Sequence, residues 1–284
     1  MEVRFEQYFR EKRYLANVTP ATIEWYRNSL RWLRTDTPTQ DDLKDAVMRM
    51  REKKLKPTGV NSAIQALNTY THWAYVGSDS KCGSGCTHPK LAHLKVPDTV
   101  MPTYTERQVR LLVTWKPKEK YRRRLHLLVL FLLDTGCRIS EALGLHVSEI
   151  DIDNLLVTLD GKGRKQRVVP FSFELRKAIV RYLRDYERKP EHLLFANRSL
   201  TLLSRRNMLR NVRDLCRYLG FEPPARTLHA FRHTFAVNYL RRGGSVFHLQ
   251  KVLGHSTLDM TRRYANLVTA DLSAIHERVS LLSK

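Results

Sequence analysis

LHAFRHTF, at residues 228–235, places the basic side chains of His229 and Arg232 about one helical turn apart. Three other stretches carry similar chemistry: TGCRISEAL at 135–143, GKGRKQRVVP at 161–170 and LGHSTLDMTRRYANL at 253–267. Together the four stretches predict one phosphate-binding site made from distant parts of the chain. Its six candidate catalytic residues are Arg138, Lys162, His229, Arg232, His255 and Tyr264.

No cluster of carboxylates accompanies these stretches to hold the metal ions that many nucleases use on a phosphodiester. We therefore expect no cofactor, and the nucleophile must be a side chain. The phenol of Tyr264 is the candidate: its ordinary pKa is about 10, and nearby cations would favour its ionised form.

The same motifs resemble those of the tyrosine recombinase family, the phage integrases and Xer-type site-specific DNA recombinases. Arg138 and Glu141 form its Arg-x-x-Glu motif, and residues 161–163 are Gly-Lys-Gly. His-x-x-Arg follows at 229–232, and Leu-Gly-His at 253–255 ends nine residues before Tyr264. The resemblance implies a mainly α fold with a small β-sheet in the C-terminal domain, comprising a helical core-binding domain and a catalytic domain.

Each catalytic candidate has a chemical role. Arg138 and Arg232 suit the phosphate oxygens because a guanidinium is a rigid, permanently charged fork. Lys162, between two glycines, is the expected general acid for the leaving 5′-oxygen, and Lys165 in the same turn is the alternative. Glu141, one turn after Arg138, either orients an active-site basic group or is an ordinary surface acid.

His229 lies on the same helical face as Arg232 and could accept the phenol proton or hydrogen-bond the phosphate. His255 occupies a position that the family fills with His or Trp, which implies hydrogen bonding and packing. Attack by Tyr264 would leave a 3′-phosphotyrosine and a free 5′-hydroxyl, storing the bond energy for rejoining without ATP.

The net charge of the 284-residue chain is +22, and residues 101–284 hold 34 of the 50 basic and 17 of the 28 acidic residues. Such an excess indicates a polyanionic partner, here duplex DNA. The longest apolar run, Leu125 to Leu133, is far shorter than the roughly 20 residues that span a bilayer. We therefore expect a cytoplasmic protein with no membrane partner.

The length fits two domains. We expect an N-terminal helical DNA-binding domain at 1–78, a linker at 79–100, a catalytic domain at 101–270 and a C-terminal tail at 271–284. In the tail, apolar residues recur at helical spacing from Leu272 to Leu282. The resemblance implies that this tail docks into a neighbouring subunit.

Helical periodicity predicts N-terminal helices that begin near Pro20, from about Thr39 to Lys54 and from about Val60 to Val76. The first of these would extend past Leu33 and carry an arginine stripe on its outer side. The stripe and a basic loop before Pro57, together with Lys165, are the candidate DNA contacts: Arg27, Arg31, Arg34, Lys53, Lys54, Lys56 and Lys165.

In the C-terminal part, helices are expected at 105–114, 121–133, 174–187, 204–218, 228–242, 245–253 and 257–266. Two β-rich runs, Leu155 to Leu159 and Arg167 to Phe171, flank the turn that carries Lys162 and predict a hairpin.

The four cysteines divide into two pairs. Cys137 and Cys216 have apolar neighbours and are expected to be reduced core thiols. Cys82 and Cys86 share one stretch with His88 and His93, and these four side chains could hold a tetrahedral zinc ion. The alternative is a flexible turn with two free thiols.

The function expected from these features is site-specific recombination, with a tetramer exchanging strands between two sites through a Holliday junction. The resemblance implies this assembly. Integration, excision, transposition and dimer resolution all remain open. The alternatives are a type IB topoisomerase, which uses a similar residue set as a monomer, and a non-catalytic DNA-binding regulator. A metal-dependent nuclease would need carboxylates that the motifs lack.

Overall fold

A computed structural model describes residues 2–77, 87–96, 101–161, 166–255, 257–258, 261–262 and 264. The chain forms two compact units, Met1–Thr99 and Val100–Lys284. No helix in the described ranges is long and apolar enough to cross a membrane. As expected, the fold is mainly α-helical, with a small β-sheet in the second unit.

In its described residues, the first unit contains four helices: α1 (Glu2–Tyr14), α2 (Pro20–Leu30), α3 (Gln40–Glu52) and α4 (Pro57–Val76). Thr19 caps α2 through its side chain, and Thr39 forms a capping box with Asp42 at the start of α3. Tyr8 of α1 meets Tyr26 and Tyr70 edge to face, with ring centroids 5.2 Å apart in both pairs. This aromatic cluster joins three helices into one core.

Helix α2 is shorter than its apolar periodicity predicts: it ends at Leu30, and a turn follows. Arg31 is the C-cap residue and Arg34 lies beyond the helix. The expectation that Arg27, Arg31 and Arg34 form one stripe on a continuous helix is therefore wrong. Leu33 is nevertheless buried, so the apolar spacing reflects burial and not helix length.

Residues 87–96, which we expected to be linker, bind to the first unit. The side chain of Asn68 donates to the carbonyl of Leu91 and accepts from its N–H, at 2.8 and 2.9 Å. Asn61 makes the same pair of bonds with Leu94, at 2.9 and 2.7 Å. A carboxamide can replace a strand partner in this way because it offers both a donor and an acceptor. The first unit thus extends beyond the expected boundary at residue 78.

The second unit contains seven α-helices and a short 3₁₀ turn among the described residues. The α-helices are α5 (Glu106–Thr114), α6 (Lys120–Thr135), α7 (Ile139–Gly144), α8 (Phe173–Tyr186), α9 (Arg205–Tyr218), α10 (Thr227–Arg241) and α11 (Val246–Leu253). Helix α6 lies at the centre and packs against α8 and α10. Cys137 and Cys216 are buried free thiols, as expected.

The sheet is antiparallel with strand order β1 (Ile150–Asp151), β2 (Leu156–Asp160) and β3 (Gln166–Pro170). The predicted hairpin is present, with each strand displaced by about one residue, and β1 is an additional short strand. Leu159 pairs with Arg167 and Val157 with Val169. Since side chains alternate across a strand, Arg167 and Val169 face the same side of β3.

Candidate active site

Arg138 stands immediately before α7, as its N-cap residue. The Glu141 carboxylate accepts the Arg138 backbone N–H at 2.7 Å through Oε2 and its Nη1 at 2.8 Å through Oε1. The same carboxylate therefore satisfies the backbone N–H at the start of α7 and orients the guanidinium of Arg138. Arg138 remains partly exposed, with 32% of its side chain accessible, so it can still reach an anion.

Glu141 is itself buried, which contradicts its interpretation as an ordinary surface acid. Arg167 binds it from the opposite side, with Nη1 to Oε1 at 3.0 Å and Nη2 to Oε2 at 2.8 Å. Burial alone would raise the pKa of Glu141, but hydrogen bonds from Arg167 and Arg138 outweigh burial and hold it below its ordinary value. One carboxylate thus sits between two guanidinium groups.

Arg167 is a site residue that the sequence analysis missed. Its Nε donates to the Val252 carbonyl at 2.8 Å, which ties β3 to the end of α11. Gly254 follows with φ +65°, and a Cβ there would lie 2.9 Å from Cδ of Arg167. The alternation of β3, with Arg167 on the side of buried Val169, was the available signal for an inward-facing arginine.

Arg232 on α10 is buried, with 5% of its surface exposed. Its Nη1 donates to the Gly136 carbonyl at 3.1 Å and its Nη2 to the Leu253 carbonyl at 2.7 Å. Burial, followed by repulsion from Arg138, lowers the pKa of Arg232 to about 10. The group stays charged at neutral pH, in a place where an anion would stabilise it.

Gly136, whose carbonyl accepts from Arg232, ends α6 in the left-handed region with φ +61°. A Cβ at this position would lie 2.3 Å from Cδ1 of Phe235. Glycine therefore permits both the turn and the close approach of α10. The same turn places Arg138 two residues later.

Tyr264 is buried, with 4% exposed, and packs in a cluster with apolar residues of α10 and α11 such as Val237 and Leu249. Its ring lies nearly parallel to that of His255, with centroids 6.2 Å apart. Its hydroxyl is 2.9 Å from Nδ1 of His233, a residue that the sequence analysis did not select. Tyr264 also acts electrostatically on Arg232, so the phenol lies within range of that cation.

His255 follows Gly254 at the end of α11, and its Nδ1 is 2.8 Å from the Thr261 hydroxyl. Burial, followed by the positive charge of Arg232, lowers the pKa of His255 to about 4. The imidazole is therefore neutral at pH 7. This geometry agrees with the hydrogen-bonding and packing role that the resemblance implies.

His229 is more exposed than the other histidines of the site. Arg205, at the start of α9, approaches its Nε2 to 3.4 Å through Nη2. The pKa of His229 is lowered by burial and then by Arg205 and Arg226. Because a guanidinium only donates, the contact requires an unprotonated Nε2 on His229. Arg205 is a second basic residue that the motifs alone did not identify.

Lys162 and Lys165 lie outside the described residues. The chain reaches that turn through Gly161, which lines a cavity of about 360 Å³ together with Arg138, Glu141 and Asp160. Gly161, the last described residue before these lysines, therefore lines the same cavity as Arg138. Their catalytic assignment stays a prediction.

The N-terminal DNA-contact candidates differ in their surroundings. Arg27 makes two hydrogen bonds to the Glu6 carboxylate, at 2.7 and 2.9 Å, and its guanidinium carbon lies 4.5 Å from the centroid of the Phe9 ring. Lys53 lies over the Trp32 ring, 5.4 Å from its centroid. The remaining candidates in this unit, Arg31, Arg34, Lys54 and Lys56, are exposed.

Cys82 and Cys86 also lie outside the described residues, so the zinc interpretation stays a prediction. Within the described ranges, no group of three or more potential metal ligands occurs. His93 is exposed, whereas His88 faces His72 with ring centroids 5.1 Å apart. Burial, followed by the charges of His72 and Lys90, lowers the pKa of His88. His72 was not among the candidate ligands.

The chain has extensive similarity to known proteins. Residues 103–270 match the phage integrase family. A tyrosine recombinase XerA of Pyrococcus furiosus is 30% identical over 249 residues, covering 87% of this chain and 82% of the relative. XerA of Thermococcus kodakarensis is 30% identical over 95% of this chain and 93% of the relative.

Two solved structures share the fold. One is an integrase of the transposon Tn1549 in complex with transposon right end DNA, with a TM-score of 0.75, 22% identity and coverage of 98% of this chain and 99% of that chain. The other is the XerH recombinase bound to palindromic difH substrate, with a TM-score of 0.71, 19% identity and coverage of 99% and 84%.

Proposed function

Since the chain belongs to the phage integrase family and is a site-specific tyrosine recombinase, we propose that Tyr264 is the nucleophile that breaks the DNA strand. The observation that carries the assignment is the position of its hydroxyl. The phenol is buried against α10, the helix that bears Arg232, and the charges of Arg138 and Arg167 also act on Arg232. The nucleophile and the phosphate-binding groups thus come from the same chain.

The two arginines neutralise the non-bridging oxygens of the scissile phosphate. Arg232 is oriented by two backbone carbonyls, and Arg138 by Glu141. Donors that are oriented before charge develops stabilise a transition state without a reorganisation cost. Because burial already disfavours the charge on Arg232, a bound phosphate restores a favourable environment for that group.

In the cleavage step, the phenolic oxygen forms a bond to phosphorus as the bond to the 5′-oxygen breaks. The phenol gives its proton to a neutral imidazole of the site, and the 5′-oxygen gains one from the ammonium of Lys162, with Lys165 as the alternative donor. The products are a 3′-phosphotyrosine and a 5′-hydroxyl. The reverse attack by a 5′-hydroxyl from a second duplex rejoins the strands and releases Tyr264.

We further propose that four protomers hold two duplex sites and exchange strands in pairs through a Holliday junction. The Tn1549 integrase is in complex with transposon right end DNA and the XerH recombinase is bound to its palindromic difH substrate, which supports duplex DNA as the partner. Residues 271–284 would link protomers. The expected location is the cytoplasm, where the DNA substrate would be reached.

A covalent-capture experiment tests this proposal. The protein is mixed, in EDTA, with a pool of nicked duplexes whose arms are randomised, so that a short cleaved fragment diffuses away and traps the intermediate. We expect adducts that survive detergent, that carry an enriched sequence and that disappear with Tyr264→Phe. Tyr239→Phe, which changes another tyrosine near the same apolar cluster, is the matched control.

The outcomes separate the rival functions. Bound but never covalent DNA would identify a regulator, and free cleaved ends that require Mg²⁺ would identify a nuclease. Relaxation of any supercoiled plasmid by a monomer would favour a type IB topoisomerase. An adduct that persists in Tyr264→Phe would overturn the assignment of the nucleophile.

A further inference from the structure

His233 follows Arg232 directly on α10, and the two side chains point in different directions. Neighbouring residues of an α-helix are separated by about 100° around its axis. Arg232 is directed towards the carbonyls of Gly136 and Leu253, whereas His233 is directed towards Tyr264. One helix turn therefore contacts both the predicted phosphate site and the predicted nucleophile.

The hydrogen bond between His233 and Tyr264 joins an imidazole nitrogen to the phenol oxygen. Burial, followed by the charges of His229, Arg232 and Arg226, lowers the pKa of His233 to about 4. The imidazole is therefore neutral at pH 7 and has one nitrogen that accepts. In the tautomer that carries its proton on Nε2, Nδ1 lies 2.9 Å from the hydroxyl oxygen and accepts the phenol hydrogen.

We propose that His233 is a positioning residue for strand cleavage, which holds the hydroxyl of Tyr264 through Nδ1 so that the phenolic oxygen faces the phosphate bound by Arg232. This proposal rests on the function proposed above, in which Tyr264 is the nucleophile. When the O–H bond points towards His233, the lone pairs of the oxygen are directed elsewhere and are available for attack on phosphorus.

The ring and the hydroxyl of Tyr264 are restrained by different contacts. Packing with Val237 and Leu249 and the parallel ring of His255 restrain the phenol ring. The bond to Nδ1 of His233 acts on the hydroxyl itself, which is the reactive group. An error of about 1 Å in the position of a reacting group can cost about 10²-fold in rate.

The same geometry separates the roles of two histidines one turn apart. The sequence suggested that His229 could accept the phenol proton, but its Nε2 faces Arg205 at 3.4 Å. Nδ1 of His233 faces the hydroxyl of Tyr264. We therefore assign His229 to the phosphate side of the site and His233 to the nucleophile side.

The test compares His233→Ala, His233→Phe and His233→Asn by the rate of covalent adduct formation on the captured duplex. Alanine and phenylalanine remove the acceptor, and we expect rates about 10²-fold lower with unchanged DNA affinity. Asparagine places an amide oxygen near the position of Nδ1, so most of the lost rate should return. His248→Ala, on an exposed histidine of α11, is the control.

A second substrate tests whether His233→Ala is slow because attack by Tyr264 is impaired or because departure of the 5′-oxygen is impaired. A duplex with sulfur in place of the 5′-bridging oxygen has a leaving group that needs no proton. It should restore the rate of Lys162→Ala but leave His233→Ala slow. Restoration of His233→Ala by this substrate would place His233 on the leaving-group side and overturn the proposal.

Two other results would also overturn it: an alanine variant with the wild-type rate, or a folded asparagine variant as slow as the phenylalanine variant. Thermal unfolding of each variant identifies any loss of folding. Failure of the proposed function has a different signature, since the wild type would then form no adduct, or the adduct would survive Tyr264→Phe. An adduct that needs Tyr264 but is indifferent to position 233 rejects the role of His233 alone.

Discussion

Arg27 in the first unit and Arg232 in the second unit are both bound by their own chain, but by different groups. Arg27 pairs with the Glu6 carboxylate at the surface, where both side chains are about half exposed. Arg232 is buried and is held by two carbonyl oxygens. A carboxylate neutralises a guanidinium, whereas carbonyls orient it and leave its charge in place. Spacing in the sequence does not distinguish these two cases.

The arginines around Glu141 are intermediate between Arg27 and Arg232 in how far their charge is neutralised. One carboxylate is shared by Arg138 and Arg167, so this trio keeps a net positive charge. The positive charge of Arg232 lies close enough to this trio to interact with Arg138 and Arg167. Charge that is oriented but not neutralised is what a phosphate requires, and charge that is neutralised locally mainly supports the fold.

The largest effect is expected from Arg232→Gln, which removes the charge but keeps a side chain that can donate. Loss of one oriented donor to an oxyanion costs about 10²–10³-fold in rate. The rate of adduct formation should fall at least that far, while DNA affinity changes little. Arg27→Gln is the matched control and should retain the wild-type cleavage rate at saturating DNA. Equal loss in both variants would remove the distinction between the two arginines.

Glu141→Ala should produce the largest loss of stability. It leaves Arg138 and Arg167 without their shared carboxylate, and breaking a buried ion pair typically costs about 3–5 kcal/mol. Urea unfolding of the second unit measures this effect. Glu6→Ala, which removes the carboxylate from Arg27, should cost about 1 kcal/mol or less because that pair is exposed. Similar losses from both variants would contradict the structural difference.

The acid dependence of stability is expected to follow Glu141. Its folded-state pKa is lowered, so its contribution is fully present above the ordinary glutamate pKa of about 4.3 and is lost as the pH falls through the lowered value. Urea midpoints between pH 7 and pH 3 should therefore fall less steeply in Glu141→Gln than in the wild type. Parallel curves would show that this carboxylate is not linked to folding.

The smallest expected effect is a change in the salt dependence of DNA affinity. Each phosphate contact contributes about 0.9 to the slope of log affinity against log salt concentration. Exposed Arg34, if replaced by alanine, should reduce that slope by about one, whereas Arg27→Ala should leave it unchanged because Glu6 already neutralises Arg27. Affinity measured from 50 to 200 mM salt tests both variants. A reduced slope for Arg27→Ala would show that DNA displaces Glu6.

Local patterns predicted much of the fold. The predicted helix starts near Thr39 and Thr105, the apolar repeat of α4 and the alternation of the hairpin are all signals between close neighbours. Such signals are strong because helix and strand geometry depends on a few adjacent residues. Periodicity misled at α2, since Leu33 is buried after the helix ends.

The residues of the candidate site also differ in whether neighbouring residues in the sequence identify them. Arg138, Glu141, Arg232 and His255 are recognisable from short motifs, and the structure brings them to the site that also holds Tyr264. Arg167 and His233 were missed because each acquires its role from a partner far along the chain. Arg167 meets Glu141 from another element, and His233 meets Tyr264 across 31 residues.

The sequence by itself determined the family, the mainly helical fold with its hairpin, and the set of basic side chains that a phosphate requires. Tertiary structure decided which of those charges remain available to an anion and which atom holds the phenol. The physical reason is that burial and hydrogen-bond partners depend on long-range packing. Identical arginines thus become a surface ion pair at residue 27 and an oriented buried cation at residue 232.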